Sequence, residues 1–263
     1  MLMDFLRYTL ISFFLIYGLC ACKKVASNGS SRYQLAYADS VFYISDQPTD
    51  ITVAPLDPKQ GSYFSFPDGL ELDSHTGLIN VSKSEAGLRY RIDFKGVNGD
   101  LSSTYLVISG INFPDHYYRL ENADSVAFPV YNADPAKPLP NAQFDEDKVV
   151  SGSGCSIKTD NGQINLSQSI KNGLFGKNPQ TNTRKDFELK YRLGDKSGKA
   201  LNKIKVLIYY YEHPADVPAD LTQTVQEHQA MTIKPDNTTV VTGAVSLAAK
   251  PRPPCIVIIA HNN

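Results

Sequence analysis

The chain has 263 residues, 26 Lys+Arg against 27 Asp+Glu, and a formal net charge of -1. That balance argues against a nucleic-acid surface, which usually shows a basic excess. Charged residues at 20% beside 42% apolar ones exclude a disordered polyelectrolyte. The length allows one large domain or two ordinary ones. With 17 Gly, 16 Pro and 15 Tyr but no Trp, the chain reads as β-rich and turn-rich.

The N-terminus addresses the compartment. Arg7 makes a weak positive start, offset by Asp4, and residues 8–19 form an uncharged apolar run. The run is short for a bilayer span and of the right length for a signal h-region. It ends in Leu19-Cys20-Ala21-Cys22. This resembles the bacterial lipobox, with Leu at −3, a small residue at −1 and the acylated Cys after the cut. Cys22 fits better than Cys20, because Leu19 before Cys20 is bulky. The resemblance implies removal of residues 1–21 and acylation of Cys22; a plain signal peptide with incidental cysteines is the competing reading. Lys23, Lys24 and a Ser-, Gly- and Asn-containing stretch then make a tether over 22–32. Several acyl chains, at about 0.8 kcal/mol per buried methylene, hold a protein stably on a membrane.

An internal repeat follows. Tyr33-Gln34-Leu35-Ala36-Tyr37-Ala38-Asp39-Ser40-Val41 and Tyr118-Arg119-Leu120-Glu121-Asn122-Ala123-Asp124-Ser125-Val126 share six of nine residues at an offset of 85. Gly69-Leu70-Glu71-Leu72 and Gly154-Cys155-Ser156-Ile157 keep that offset, as do Pro55 and Pro140. Two copies of one unit are the expectation. Beyond Ser84 and Ser169 the register shifts: residues 92–108 align with 191–207 at an offset of 99. The second copy thus holds 14 extra residues near 172–185, expected to form a surface loop.

In chain order, Asp68-Gly69-Leu70-Glu71-Leu72-Asp73-Ser74-His75-Thr76-Gly77-Leu78-Ile79 reads as a hairpin. Leu70, Leu72 and Ile79 share a face, Asp73 bonds its own downstream backbone, and Gly77 takes positive φ at the loop exit. Period-two alternation marks strands at 89–94, 104–109, 187–193 and 203–209. The pattern Gly-Leu-x-Leu-Asp-x-x-Thr-Gly-x-Ile resembles the signature of bacterial putative-Ig and cadherin-like domains. Copy two keeps its frame but carries Lys158 and Asn161 in place of the Asp and Thr. The resemblance implies an all-β chain of two tandem Ig-like (cadherin-like) β-sandwiches, at 33–111 and 114–213. A C-terminal extension at 214–263 follows, with a short helix over 219–231 and a β-hairpin. Leu221, Val225 and His228 or Met231 share the helix face, and Asp216 stands as its cap. Strands are expected at 238–241, 245–247 and 255–259. The last is too apolar to be exposed and is expected to pair in a sheet.

Candidate sites are few. None of the five His lies at metal-ligand spacing from another His or Cys. Asp39 and Asp124 recur at one place in the repeat, and Asp145 and Asp147 add hard oxygen donors, so these four are candidate calcium ligands; turn capping and a solvated loop are the plainer reading. Tyr117, Tyr118 and Tyr210 are candidate contacts for a glycan or protein partner, weighed against core packing. Cys155 and Cys255 either pair, as an exported protein permits, or are buried apolar residues; Leu70, the counterpart of Cys155, favours burial.

No cofactor other than calcium and no nucleic acid is implied. The resemblance points to a non-enzymatic binding or adhesion lipoprotein of Bacteroidetes-type bacteria, held at the cell envelope, at the outer membrane, by its lipid anchor. The alternative is a glycan-binding accessory of an outer-membrane polysaccharide-capture system. Cys22→Ala is expected to abolish incorporation of radioactive palmitate; surviving label would refute the lipobox reading.

Overall fold

The computed structural model describes residues 33–232 and 253–262, with side chains of 227–232 left aside. Cys22, the segment 1–21, the tether and the strands expected at 238–241 and 245–247 lie outside the described residues. The chain is all-β, and among the described residues no helix is long and apolar enough to cross a membrane.

The first part runs β1 (Val41–Phe42), β2 (Thr52–Val53), β3 (Gly61–Phe66), β4 (Glu71–Leu72), β5 (Ile79–Asn80), β6 (Arg89–Gly96) and β7 (Leu101–Ile108). One sheet has the order β1-β7-β6-β3, the other β2-β5-β4. Alternation builds the core between them: Tyr90, Ile92 and Phe94 of β6 point in, while Arg91, Asp93 and Lys95 stay at the surface. Leu106 and Ile108, Tyr63, and the hairpin residues Leu70 and Ile79 close the same cluster. Each such side chain contributes about 1.5–3 kcal/mol by leaving water.

The second part runs β8 (Ile111–Asn112), β9 (His116–Arg119), β10 (Val126–Ala127), β11 (Val130–Tyr131), β12 (Ala142–Phe144), α1 (Val149–Gly152), β13 (Ser156–Ile157), β14 (Ile164–Asn165), α2 (Leu166–Lys171), β15 (Thr183–Leu193), β16 (Asn202–Tyr211), α3 (Ala219–Thr232) and β17 (Cys255–Ile259). Its large sheet has the order β12-β15-β16-β17-β9 and faces the small sheet β10-β14-β13. Phe187, Leu189, Tyr191 and Leu193 of β15 meet Val206, Ile208 and Tyr210 of β16 in the shared core. On the opposite face of the large sheet, Leu221 and Val225 of α3 cover Leu207, Tyr211, Cys255, Val257 and Ile259.

The hairpin recurs hydrogen bond for hydrogen bond. Asp73 N–H donates to Leu78 O and Gly77 N–H to Asp73 O; Lys158 and Gly162 repeat both bonds with Gln163 O and Lys158 O. Asn80 caps the turn after β5 by accepting from Lys83 N–H, and Asn165 caps α2 from Gln168 N–H. Ser84 and Ser169 each donate to the carbonyl of that Asn and accept the N–H of Glu71 or Ser156. Asp73 accepts from His75 and Thr76 N–H, as its side chain dictates.

The offset of 85 does not extend to the N-terminal match. Asp39-Ser40-Val41 enters β1, which pairs with β7 in the large sheet. Asp124-Ser125-Val126 enters β10, which pairs with β14 as β2 pairs with β5. Strong local identity therefore joins two unlike places. The offset of 99 fails in both strands: Tyr191 pairs with Phe144 as Phe94 pairs with Tyr63, which makes the offset 97 in β15. Core residues Leu106 and Ile108 correspond to Val206 and Ile208, an offset of 100. An offset of 99 would set Lys205 where Leu106 sits, because a one-residue slip exchanges the faces. The inserted stretch near 172–185 is also more than a surface loop: Leu174 and Phe175 are buried in the second core. Asp216 does not cap α3; it accepts from His213 N–H and Thr181 Oγ1, closing the preceding turn. Finally, β17 is paired in a sheet, as its apolar run requires: it enters the large sheet between β16 and β9, parallel to both.

Gly77 has φ +73, and a Cβ there would meet the Tyr63 ring at 2.6 Å. Gly198 has φ +63 with open space around it. Gly198→Ala is expected to cost about 1 kcal/mol. Gly77→Ala adds overpacking and is expected to cost about 2–4 kcal/mol, read as the difference between their urea midpoints.

Candidate functional site

Among the described residues, one part of the surface with room to receive a partner is a groove of about 910 Å³. One wall comes from the segment after β1 (Ile44, Ser45) and the turn after β5 (Ser82 to Leu88). The other comes from the outward positions of β15 and β16, with Pro253 and Pro254 leading into β17. Strand alternation places these groups: Leu189, Tyr191, Val206 and Ile208 turn into the core, so Glu188, Lys190, Lys203 and Lys205 turn out. Ile44, Leu88, Ile204 and the two prolines give the groove apolar ground beneath this charged rim.

Its lysines are held by surface pairs. Lys190 Nζ lies 2.8 Å from Asp147, Lys203 3.1 Å from Glu188, and Lys205 3.7 Å from Asp186. Lys83 lies 3.0 Å from Asp50. Exposed pairs of this kind are worth about 0–1 kcal/mol, so an incoming carboxylate competes for them readily.

The walls are tied together by two aspartates. Asp195 Oδ2 accepts from Ser109 Oγ at 2.7 Å and from Tyr131 OH at 2.9 Å. Asp46 accepts from Leu201 N–H at 3.0 Å and from Arg192 Nη1 at 3.4 Å. Tyr191 OH accepts from Ile111 N–H, and burial raises the phenol well above its ordinary range. Sequence reasoning passed over Asp46, Asp195 and the four groove lysines. Their only signal was their place as the polar members of alternating strands and turns.

The sequence candidates are dispersed and already engaged. Asp39 accepts from Ser40 and Val41 N–H, and these bonds lower its carboxyl. Asp124 does not cap a turn but pairs with His116 at 2.9 Å. Asp145, expected in a solvated loop, is 1% exposed: its two oxygens accept Val150 and Ser151 N–H of α1, which removes it from water. Asp147 is lowered chiefly by its bond to Lys190. Among the described residues, no group of three or more His, Cys, Asp or Glu is placed to hold a metal ion.

Tyr118 and Tyr210 are buried in the second core, at 4% and 7% exposure, and Tyr210 lies against Phe175. A stacking platform needs open ring faces, so these two do not make one. Tyr117 is half-buried against the cluster under α3. Cys155 is a free buried thiol, which excludes the pairing with Cys255; burial pushes it up to about 12. Cys255 sits in the other cluster, with Sγ toward Pro253 O. The Ser74 Oγ–His75 Nδ1 contact of 3.2 Å lies in an exposed turn, and Asp73 bonds the backbone there rather than the ring. It therefore lacks the arrangement of a catalytic triad.

No protein-family profile matches the chain, and no curated protein matches it. Among solved structures, Protocadherin Gamma B7 extracellular cadherin domains 1-4 is similar at 13% identity, TM-score 0.20, over 67% of this chain and 50% of that one. Mouse clustered PcdhgC3 EC1-3 is similar at 7% identity, TM-score 0.19, over 67% of each chain. The chain thus spans about half of the first of these.

Asp145→Ala is expected to lower stability by about 1–3 kcal/mol, since two buried N–H groups lose their acceptor. The loss is expected to be equal in EGTA and in excess calcium, as read by thermal unfolding. A calcium-dependent midpoint that the substitution abolishes would restore the metal reading.

Proposed function

We propose that this chain is a non-enzymatic binding module held at the cell envelope through acylated Cys22, with the groove as its contact surface. The observation that carries the reading is the groove itself: apolar ground rimmed by lysines whose ion pairs are weak and exposed. Such a surface suits an extended, acidic segment of a protein partner. The segment's carboxylates exchange with Asp147 and Glu188, and its apolar side chains cover Ile44, Leu88 and Ile204. The glycan-capture alternative rested on aromatic faces, and Tyr118 and Tyr210 do not offer theirs.

The test is binding of the Cys22→Ala protein to arrays of acidic peptides and of polysaccharides, beside a Lys190→Glu/Lys203→Glu variant of equal thermal stability. Binding to acidic peptides that weakens at least tenfold in the variant and falls with salt is expected. Binding to polysaccharide alone, or peptide binding indifferent to the two lysines, would overturn the reading.

A further inference from the structure

The slot filled by β17 is equipped to receive an extended strand. Between β16 and β9 it offers two rows of backbone partners, both parallel to β17: Leu207 to Tyr211 on one side and His116 to Arg119 on the other. It offers apolar contacts on both faces. Ile256 and Ile258 enter the sandwich core, and Cys255, Val257 and Ile259 enter the cluster under α3.

It also offers a carboxylate at each end. Buried Asp115, just before β9, accepts Cys255 N–H at 2.7 Å. Glu121, just after β9, accepts Asn262 N–H at 2.9 Å and faces His261 Nδ1 at 3.0 Å. The backbone bond and His261 hold the Glu121 carboxyl below its ordinary value. These two carboxylates define the position of a strand over residues 255–262 through its backbone N–H groups.

We infer that this slot is a strand-acceptor site that also takes residues 255–262 of a second copy of the chain, so that copies join by exchanging β17. The exchanged strand makes the same bonds in either chain, which keeps the free-energy difference between the two arrangements small. Reach permits it. Residues 233–252 separate α3 from the approach to β17, and a chain of that length spans up to about 70 Å. A compact unit of this size has a radius of gyration of only about 17 Å. High local concentration, as on a crowded surface, then favours exchange over closure within one chain. The exchanged strand brings its own Pro253 and Pro254 to the groove wall, and the inference stands whether or not the groove binds peptide.

The register supplies the test, because Val257 faces Tyr117 across β17 and β9. In the full chain carrying Cys22→Ala, one variant bears Val257→Cys and a second bears Tyr117→Cys. The two are unfolded together, refolded at high concentration and oxidised. A third chain bears both substitutions and is refolded dilute. The expected result is a disulfide-linked heterodimer from the mixture, with mass spectrometry locating the 117–257 bond, and an intrachain bond in the double variant. An intrachain bond in the double variant with no heterodimer from the mixture would overturn exchange. Absence of the bond from both would overturn the slot itself.

Discussion

The second sandwich depends on a single constraint: the uncharged strand Cys255-Ile256-Val257-Ile258-Ile259 is buried along its whole length and must be paired on both edges. Left in water it would expose two apolar faces and both rows of backbone groups. Placed between β16 and β9 it connects them, since these two strands meet only through it. Ile256 and Ile258 complete one core while Val257 and Ile259 create the surface on which α3 settles. The helix thus lies over the large sheet because of a strand that follows it in the chain.

The repeated hairpin does the corresponding work for the small sheets. Its bonds survive where its side chains do not. Lys158 stands where Asp73 stood, yet the backbone ring closed by Gly162 is that closed by Gly77. Positive φ at each glycine and the Asn cap that follows are what the loop needs. Each glycine also lies against an aromatic ring, Tyr63 or Phe144, where any Cβ would collide.

Much of this was legible residue by residue. Alternation placed β6, β7, β15 and β16, a wholly apolar run placed β17, and Asp73 and Gly77 behaved as their local chemistry requires. Two readings failed for tertiary reasons. The Asp39 and Asp124 segments look alike, but one is followed by a strand of the large sheet and the other by a strand of the small sheet. Local identity carries no information about the partner strand. The 99-residue offset kept the inward face of β15 but reversed that of β16, because the second hairpin is three residues longer and an odd change exchanges the faces. For Tyr118 and Tyr210 the sequence left partner contact and core packing open, and only the sheet opposite them shows that their face is the inner one.

Composition, period-two patterning and the glycine-closed hairpin were sufficient for an all-β chain with a recurring unit, because these properties belong to residues near one another in sequence. The order of the strands, the insertion of β17, the burial of Asp145 and the gathering of Lys190, Lys203 and Lys205 opposite the turn after β5 were decided by the tertiary structure. Each depends on which distant segment supplies the second edge or the covering face, and that choice is made by the free energy of burying whole surfaces rather than by any local preference.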